Sequence, residues 1–322
     1  MDEARCWRSQ PEEWQPLFRG LHAEFPASTA LDAWSQVGGQ EVVALTLGLR
    51  PGGGAAPFRL VVAVPHAHEP APTAAIVDLA SQLLRGAHLD GSPTALPASD
   101  ILATALVTLL PDVNPQGRIR APVRCWDGTT CDNEAFWRHA FGIAADGSRF
   151  GRYPEWRFSE HRPQRVGLIY EQVDDDLYVE PNVSRRATYV RAVDELFAAN
   201  RYTHMLEMHQ HEWPEVAILQ AGLEAVPPGD RLRLEHWAER VGAAWRGVGA
   251  APSPRPVTNR GQPREEQVID FWSGRCPGML RLNTEVRNNR LEPGGGREIT
   301  PLPRQLGTAA AALEATLALA LE

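Results

Sequence analysis

Two histidines and a glutamate follow a short apolar run in the first third of the sequence. The segment LVVAVPHAHEPAP places His66, His68 and Glu69 after residues typical of a buried strand and before prolines typical of a helix start. Zinc is bound by imidazole nitrogen and carboxylate oxygen, and the H-x-x-E spacing lets His66 and Glu69 face one ion from a single turn. The spacing therefore predicts two metal ligands. The alternative is a structural role, with the histidine hydrogen-bonded at the end of the strand.

The histidines that would complete such a site lie in the segment MLEMHQHEW. His209 and His211 are two residues apart, so on a strand both side chains point to the same face. A catalytic zinc keeps three protein ligands and leaves the fourth position to water. One of these two histidines is therefore expected to supply the missing imidazole.

Glu285 is the candidate general base. It lies in the middle of the strand-like segment MLRLNTEVRNN. A carboxylate in such a strand is costly to bury unless it is paired or functional. Pairing with a neighbouring arginine such as Arg287 is the structural alternative to a role in chemistry.

These residues need a scaffold of alternating strands and helices. Apolar runs typical of strands alternate with amphipathic segments along most of the chain. We therefore expect an α/β protein with a central mixed, largely parallel β-sheet flanked by helices and the metal at the carboxyl edge of the strands. Residues 1–322 are expected to form a single domain. Residues 117–165 and 247–266 break the pattern and are predicted to be long loops lining the site.

Composition excludes several classes of function. The 322 residues carry a net charge of −8, which provides no basic face for nucleic acid. No apolar run approaches the ~20 residues of a membrane span, and the first residues lack the apolar core of a signal peptide, so a cytoplasmic protein is expected. All 32 basic residues are arginine, which excludes a Schiff-base lysine and the lysine of a phosphate-binding P-loop.

Taken in order, these motifs resemble the zinc carboxypeptidases of the M14 type. That family carries H-x-x-E after a strand, then N-P-D-G, a W-R pair, a distal histidine and a glutamate on a late strand. This chain shows the same order through His66 and Glu69, the NPQG turn at 114–117, Trp137 with Arg138, His209 and Glu285. The likeness covers nearly the whole chain, without the inhibitory pro-domain of the secreted digestive members.

The resemblance implies a mechanism. One Zn²⁺ per chain would be held by His66, Glu69 and His209, with His68 or His211 as possible replacements for their neighbours. Glu285 would act as general base and then general acid, and Arg138 would stabilise the oxyanion. The implied reaction is hydrolysis of an amide or peptide bond, most simply the removal of a C-terminal residue from a peptide or small amide substrate.

The resemblance implies less about which substrate is bound. The family's Asn-Arg pair for the substrate carboxylate is replaced here by the stretch FGRYPEWRF, so Arg152 or Arg157, with Asn114, are the expected substrate-binding residues. Asp270, in VIDFW, corresponds to the base of the specificity pocket and would favour a basic C-terminal side chain. The arginines between 118 and 165 would instead suit an acidic substrate.

Two other functions compete with the carboxypeptidase. An N-acyl amino acid deacylase of the aspartoacylase and succinylglutamate desuccinylase type shares the H-x-x-E motif and the distal histidine, but with a shorter separation between them than Glu69 and His209 have. A non-catalytic binding protein with the same fold is the third possibility. Both ligand segments are present together with Glu285, which favours an enzyme.

Overall fold

The structure is a computed structural model that describes residues 2–48, 56–212, 217–219, 228–253, 272, 274–291 and 300–322. Within these ranges the helices are α1 (Glu3–Cys6), α2 (Pro11–Glu24), α3 (Pro70–Arg85), α4 (Ala98–Thr104), α5 (Pro115–Arg118), α6 (Asn133–Ala140), α7 (Phe158–His161), α8 (Thr188–Ala199), α9 (Pro228–Gly247) and α10 (Leu302–Ala318). The strands are β1 (Thr29–Ser35), β2 (Glu41–Leu47), β3 (Phe58–Ala63), β4 (Ala105–Leu110), β5 (Asp127–Asp132), β6 (Gly142–Ile143), β7 (Glu155–Arg157), β8 (Arg165–Val166), β9 (Glu171–Gln172), β10 (Leu177–Val179), β11 (His204–His211), β12 (Ala217–Leu219), β13 (Leu280–Arg287) and β14 (Asn289–Leu291).

Seven strands form the central sheet, in the order β1-β2-β4-β3-β11-β13-β12. The four inner strands β4, β3, β11 and β13 are parallel to one another. The pairs β1–β2, β2–β4 and β12–β13 are antiparallel. The sheet is therefore mixed with a parallel centre, and the predicted fold class is confirmed.

Helices cover both faces of this sheet. On one face α2, α9 and α10 contribute Trp14, Trp237 and Leu313 to the main hydrophobic core, which also contains the apolar residues of α3. On the other face α8 contributes Val193 and Phe197 to a second core. Strands buried on both sides need apolar residues in succession, which explains why every residue of β4 is buried. Among the described helices, none is long and apolar enough to cross a membrane.

The region 117–165 is more ordered than a long loop. It contains β5, α6, β6, β7 and α7, and Trp126 and Phe136 pack with Tyr170 in a third, small core. The other predicted loop starts at the last residue of α9, and its residues 254–266 lie outside the described residues.

The segment RVGLIYEQV, which has a strand-like pattern, is not one strand. Only the short β8 and β9 form at its two ends. Between them the backbone amides of Leu168 and Ile169 donate to the carbonyls of His139 and Ala140. A Cβ at Gly167 would lie 2.2 Å from the Phe141 carbonyl carbon, so the close approach to the end of α6 requires glycine. These contacts replace a strand partner.

Candidate metal centre

The proposed ligand segment is the turn between β3 and α3. Strand β3 ends at Ala63 and α3 begins at Pro70, so His66 and Glu69 lie at the carboxyl edge of the parallel strands. The apolar residues of β3 bury the strand, and the prolines fix the start of the helix directly after Glu69. The turn therefore has little freedom, because both of its ends are anchored in rigid elements.

Three side chains converge at this edge. His66 Nδ1 lies 2.9 Å from Glu69 Oε1, and His209 Nδ1 lies 3.0 Å from Glu69 Oε2. The two imidazole Nδ1 atoms are 3.2 Å apart. Ligand atoms about 2.1 Å from one tetrahedral zinc ion lie about 3.4 Å from one another. The observed spacing is close to that value, so the donor set fits a zinc ion.

His68 and His211 remain close to these groups. His68 Nε2 is 3.6 Å from Glu69 Oε1, and the donor atoms of His66, His68 and Glu69 lie within 4.8 Å of one another. His211 Nε2 lies 3.2 Å from the backbone carbonyl oxygen of Glu285. His68 thus belongs to the group that could hold a metal, whereas His211 faces the neighbouring strand.

The electrostatics of the cluster favour a cation. Burial disfavours the charged form of His66, but Glu69 and Glu180 outweigh it and raise the pKa of His66 to about 10. The pKa of His209 is also raised, since Glu69 outweighs burial. Burial opposes the ionisation of Glu69, yet His66 and His209 hold its pKa well below the usual value. The carboxylates therefore attract positive charge to the point where the imidazoles meet.

A second carboxylate, that of Glu180, lies next to the Nε2 atom of His66. Glu180 follows β10 and is fully buried, with Oε1 3.4 Å from His66 Nε2. The guanidinium of Arg152 forms an ion pair with the same carboxylate, and its Nε is 2.9 Å from Glu180 Oε2. Burial opposes the charge on Glu180, but Arg152 and His66 lower its pKa. A carboxylate on the far nitrogen of a ligand histidine fixes the ring orientation and its tautomer.

Glu285 lies beside His209 because β11 and β13 are parallel and in register, with these two residues as direct partners. The residue is partly accessible, but its Oε2 is buried and has no hydrogen-bond partner among the described residues. Burial raises the pKa of Glu285 to about 7, opposed by His209 and reinforced by Glu69. Such a carboxyl group is suited to accept and return a proton near neutral pH.

Arg118 and Trp126 hold the ligand turn from below. Arg118 Nη2 donates to the carbonyl oxygen of Glu69 and to Thr73 Oγ1, both at 3.1 Å. Trp126 Nε1 donates to the carbonyl oxygen of His68 at 2.8 Å. Both side chains are almost completely buried. Arg118 and Trp126 therefore position the backbone of the turn without hydrogen bonds to the imidazole ring of His66 or His68.

Asn114 is used by the scaffold. Its Oδ1 accepts from the Gly117 amide at 2.9 Å, and its Nδ2 donates to the Leu168 carbonyl at 3.0 Å. A Cβ at Gly117 would lie 2.1 Å from the Leu168 carbonyl oxygen and 2.8 Å from Ala67 Cβ. The NPQG turn therefore packs directly under the ligand turn, and only glycine fits at that point.

Arg138 and Arg157 form their contacts away from the histidines. Arg138 Nη2 donates to the Gly147 carbonyl at 2.9 Å. Arg157 forms a surface ion pair with Asp176 at 3.3 Å. Asp270 lies outside the described residues. Of Arg138, Arg152 and Arg157, Arg152 is the one whose charge acts on Glu69 and Glu285.

Three features of the site escape the sequence motifs. Glu180, Arg118 and Trp126 reach the ligand turn from segments distant in sequence. The acidic residue that ends the alternating strand segment LYVEP is the one local signal for Glu180. Arg118 follows the NPQG turn directly, and that position is its only signal.

Solved structures share this fold. A metallo-carboxypeptidase from Burkholderia cenocepacia superposes with a TM-score of 0.58 at 17% identity, over 95% of this chain and 68% of that one. A Pseudomonas aeruginosa metallo-carboxypeptidase in complex with (2-guanidinoethylmercapto)succinic acid gives 0.55 at 14%, over 95% and 68%. Carboxypeptidase A from Helicoverpa armigera gives 0.56 at 13%, over 97% and 74%. In sequence, no family model and no curated protein matches this chain. The chain therefore has the metallocarboxypeptidase fold, as the motifs predict.

Proposed function

We propose that this protein is a zinc-dependent metallocarboxypeptidase that removes the C-terminal residue of a peptide or small amide substrate. The observation that carries the proposal is the meeting of His66 Nδ1, His209 Nδ1 and both oxygens of Glu69 within 3.2 Å, with Glu285 as the strand neighbour of His209. We assign His66, Glu69 and His209 as the ligands of one Zn²⁺, because His68 is farther from Glu69 than either.

The residues around the site have distinct roles. Zinc bound there would supply a water of lowered pKa and polarise the scissile carbonyl. Glu285 takes the proton of the attacking water and returns it to the leaving nitrogen, which needs a carboxyl group within reach of both. Glu180 holds His66 in the tautomer that leaves Nδ1 free to bind the metal.

Arg152 is the arginine suited to an anionic group on the substrate or in the transition state. Its charge acts on Glu285 and Glu69 as well as on Glu180. Burial disfavours its charge, but Glu180 outweighs burial and raises the pKa of Arg152, so the guanidinium stays charged. The contacts of Arg138 and Arg157 support no such role for them.

Metal content and turnover test this proposal together. Elemental analysis by mass spectrometry should give one zinc per chain in the wild type and in Glu285→Gln, and a loss of zinc in His66→Ala. The exposed His236, which pairs with Glu322 at 2.8 Å, provides a matched control, and His236→Ala should keep its zinc. Release of a C-terminal residue from N-acylated dipeptides should fall about 10²- to 10⁴-fold in Glu285→Gln.

Three results would contradict the proposal. A wild-type protein that binds no zinc when zinc is offered is not a zinc-dependent hydrolase. A Glu285→Gln variant with full turnover would remove Glu285 from the proton transfers. Cleavage of N-acyl amino acids in preference to dipeptides would favour the deacylase over the carboxypeptidase.

A further inference from the structure

The polar face of β13 is the accessible edge of the site. Along this strand Leu280, Leu282, Thr284 and Val286 are buried, whereas the alternating residues Arg281, Asn283, Glu285 and Arg287 are partly accessible. Side chains at alternate positions of a strand share one face. The proposed base Glu285 therefore stands in a row of polar side chains that extends along the sheet beyond the metal ligands.

An ion pair between Arg281 and Glu207 of the neighbouring strand lies on the same face of the sheet. Arg281 Nη2 is 2.5 Å from Glu207 Oε2, and the Tyr189 hydroxyl donates to Glu207 Oε1 at 2.8 Å. Both oxygens of Glu207 are therefore already occupied by donors.

The register of the strands gives the position of this guanidinium. Arg281 is the strand partner of Met205, yet its side chain reaches Glu207, which is one same-face step nearer to His209. At about 3.3 Å per residue, the two-residue step from Glu207 to His209 is roughly 6.6 Å. This is a spacing along the backbone of the strand, and the longer side chain of glutamate reaches across such a spacing better than the side chain of aspartate does.

Both ion pairs of the site turn their cation toward the accessible side. The side chain of Arg281 is 16% exposed against 4% for Glu207. The side chain of Arg152 is 30% exposed against 0% for Glu180. Arg281 Nε is in addition buried without a hydrogen-bond partner in the part of the chain that the structure describes. The two ion pairs thus present positive charge on the accessible side, while the oxygens of Glu180 and Glu207 are already paired.

We propose that the residue removed from the substrate carries an acidic side chain, glutamate above all, whose carboxylate is bound by Arg281 while Arg152 binds the terminal carboxylate. This assignment rests on the proposed function and names its substrate class. Charge-assisted hydrogen bonds from guanidinium to carboxylate are among the strongest that proteins form. Glu207 and Tyr189 act as positioning residues that hold Arg281 in place.

Selectivity among otherwise identical substrates tests the assignment. The series is an N-acylated dipeptide ending in Glu, Gln, Leu or Arg, measured as kcat/KM with the zinc-loaded protein. The wild type should prefer Glu over Leu, and Glu207→Gln/Arg281→Met should lose about 10- to 100-fold on Glu with little change on Leu. The double variant removes both charges together, so no buried charge is left unpaired. Arg287→Gln, on the same face beyond Glu285, is the matched control and should keep the preference.

A wild-type preference for Leu or Arg, an equal loss on all four substrates in a folded double variant, or a lost preference in Arg287→Gln would overturn the assignment. Thermal unfolding and zinc content establish whether the double variant is folded.

Binding gives a readout that does not need turnover. Calorimetry of zinc-loaded Glu285→Gln with N-acetylglutamate and N-acetylleucine should show tighter binding of the first, and the difference should vanish when Glu207→Gln/Arg281→Met is added. If no dipeptide is cleaved but N-acetylglutamate still binds more tightly than N-acetylleucine, the carboxypeptidase activity is refuted and the binding of an acidic side chain by Arg281 is retained. Equal affinities for N-acetylglutamate and N-acetylleucine would refute the binding of an acidic side chain by Arg281 and leave the proposed carboxypeptidase activity untouched.

Discussion

Replacing Arg118 with methionine tests whether a buried arginine supports the ligand turn. Its side chain is 1% exposed, with Nε 3.5 Å from Oδ2 of the fully buried Asp112. Burial lowers the pKa of Arg118 against the attraction of Asp112, and raises the pKa of Asp112 against the attraction of Arg118. Removing one partner of a buried pair costs about 3 to 5 kcal/mol, because the other charge stays buried. Arg118→Met should lower the free energy of unfolding by that amount.

The double variant Asp112→Asn/Arg118→Met separates the charge from the hydrogen bonds. It leaves no unpaired charge, so the remaining loss should be about 1 to 3 kcal/mol, from the Glu69 carbonyl and the Thr73 hydroxyl that lose a donor at 3.1 Å. The single variant also acquires a pH dependence. Without its arginine partner the pKa of Asp112 rises further in the folded state, and a raised carboxyl pKa costs stability as the pH increases. The deficit of Arg118→Met should therefore be larger at pH 8 than at pH 5.

Two measurements read out these changes. Urea unfolding followed by circular dichroism, in the presence of a chelator, gives the stability of the metal-free protein. Competition with a chromophoric chelator gives the zinc affinity, which should fall about 10- to 100-fold in Arg118→Met, because residues behind the ligands tune metal binding by that range. Arg85→Met is the matched control, since Arg85 pairs with Glu24 on the surface and such pairs contribute little.

An Arg118→Met variant within about 1 kcal/mol of the wild type would show that the turn is held without the arginine. Unchanged zinc affinity in a destabilised variant would refute the link between the turn backbone and the ligands. A deficit that is equal at pH 5 and pH 8 would show that the pKa of Asp112 does not rise further when Arg118 is removed.

Two further predictions concern buried carboxylates. Glu180→Gln should weaken zinc binding about 10- to 100-fold in the chelator competition, because His66 loses the charged partner of its Nε2; unchanged affinity would contradict the orienting role of Glu180. Glu171, which accepts from the backbone and hydroxyl of Thr188, has its pKa raised to about 7, mainly by burial. A raised carboxyl pKa means that the wild type loses stability as the pH rises from about 4.5 through 7. In urea unfolding, the stability of Glu171→Gln relative to the wild type should therefore increase by up to about 3 kcal/mol between pH 5 and pH 8. A stability difference that does not depend on pH would refute the raised pKa of Glu171.

The sequence predicts the convergent groups because each depends on a local pattern. An H-x-x-E pair after an apolar run fixes His66 and Glu69 on one turn, and alternation on strands assigns faces to His209 and Glu285. The order of the strands is not needed to predict that these groups lie at the same edge, since the carboxyl ends of parallel strands meet at one edge of the sheet. The structure brings these four side chains together at that edge.

The supporting groups could not be predicted in the same way. Glu180 reaches His66, and Arg118 reaches Glu69, through the packing of segments that carry no regular pattern. The W-R pair illustrates the same limit, since the motif names Arg138 but the fold of the following hairpin directs its guanidinium to Gly147. Tertiary structure alone decides which arginine lies near the histidines at the carboxyl edge of the sheet.

The pairing of His209 with Glu285 depends on the register of β11 and β13. His209 and Glu285 are direct partners only because β11 and β13 pair from His204 with Leu280 onward. A slip by one residue would turn Glu285 to the opposite face of the sheet and carry Leu282 out of the core. The apolar residues on the buried face of β13 therefore fix the position of the polar residues on its accessible face. The same alternation that buries the core places Glu285 and Arg281 on one face of the sheet together with His209.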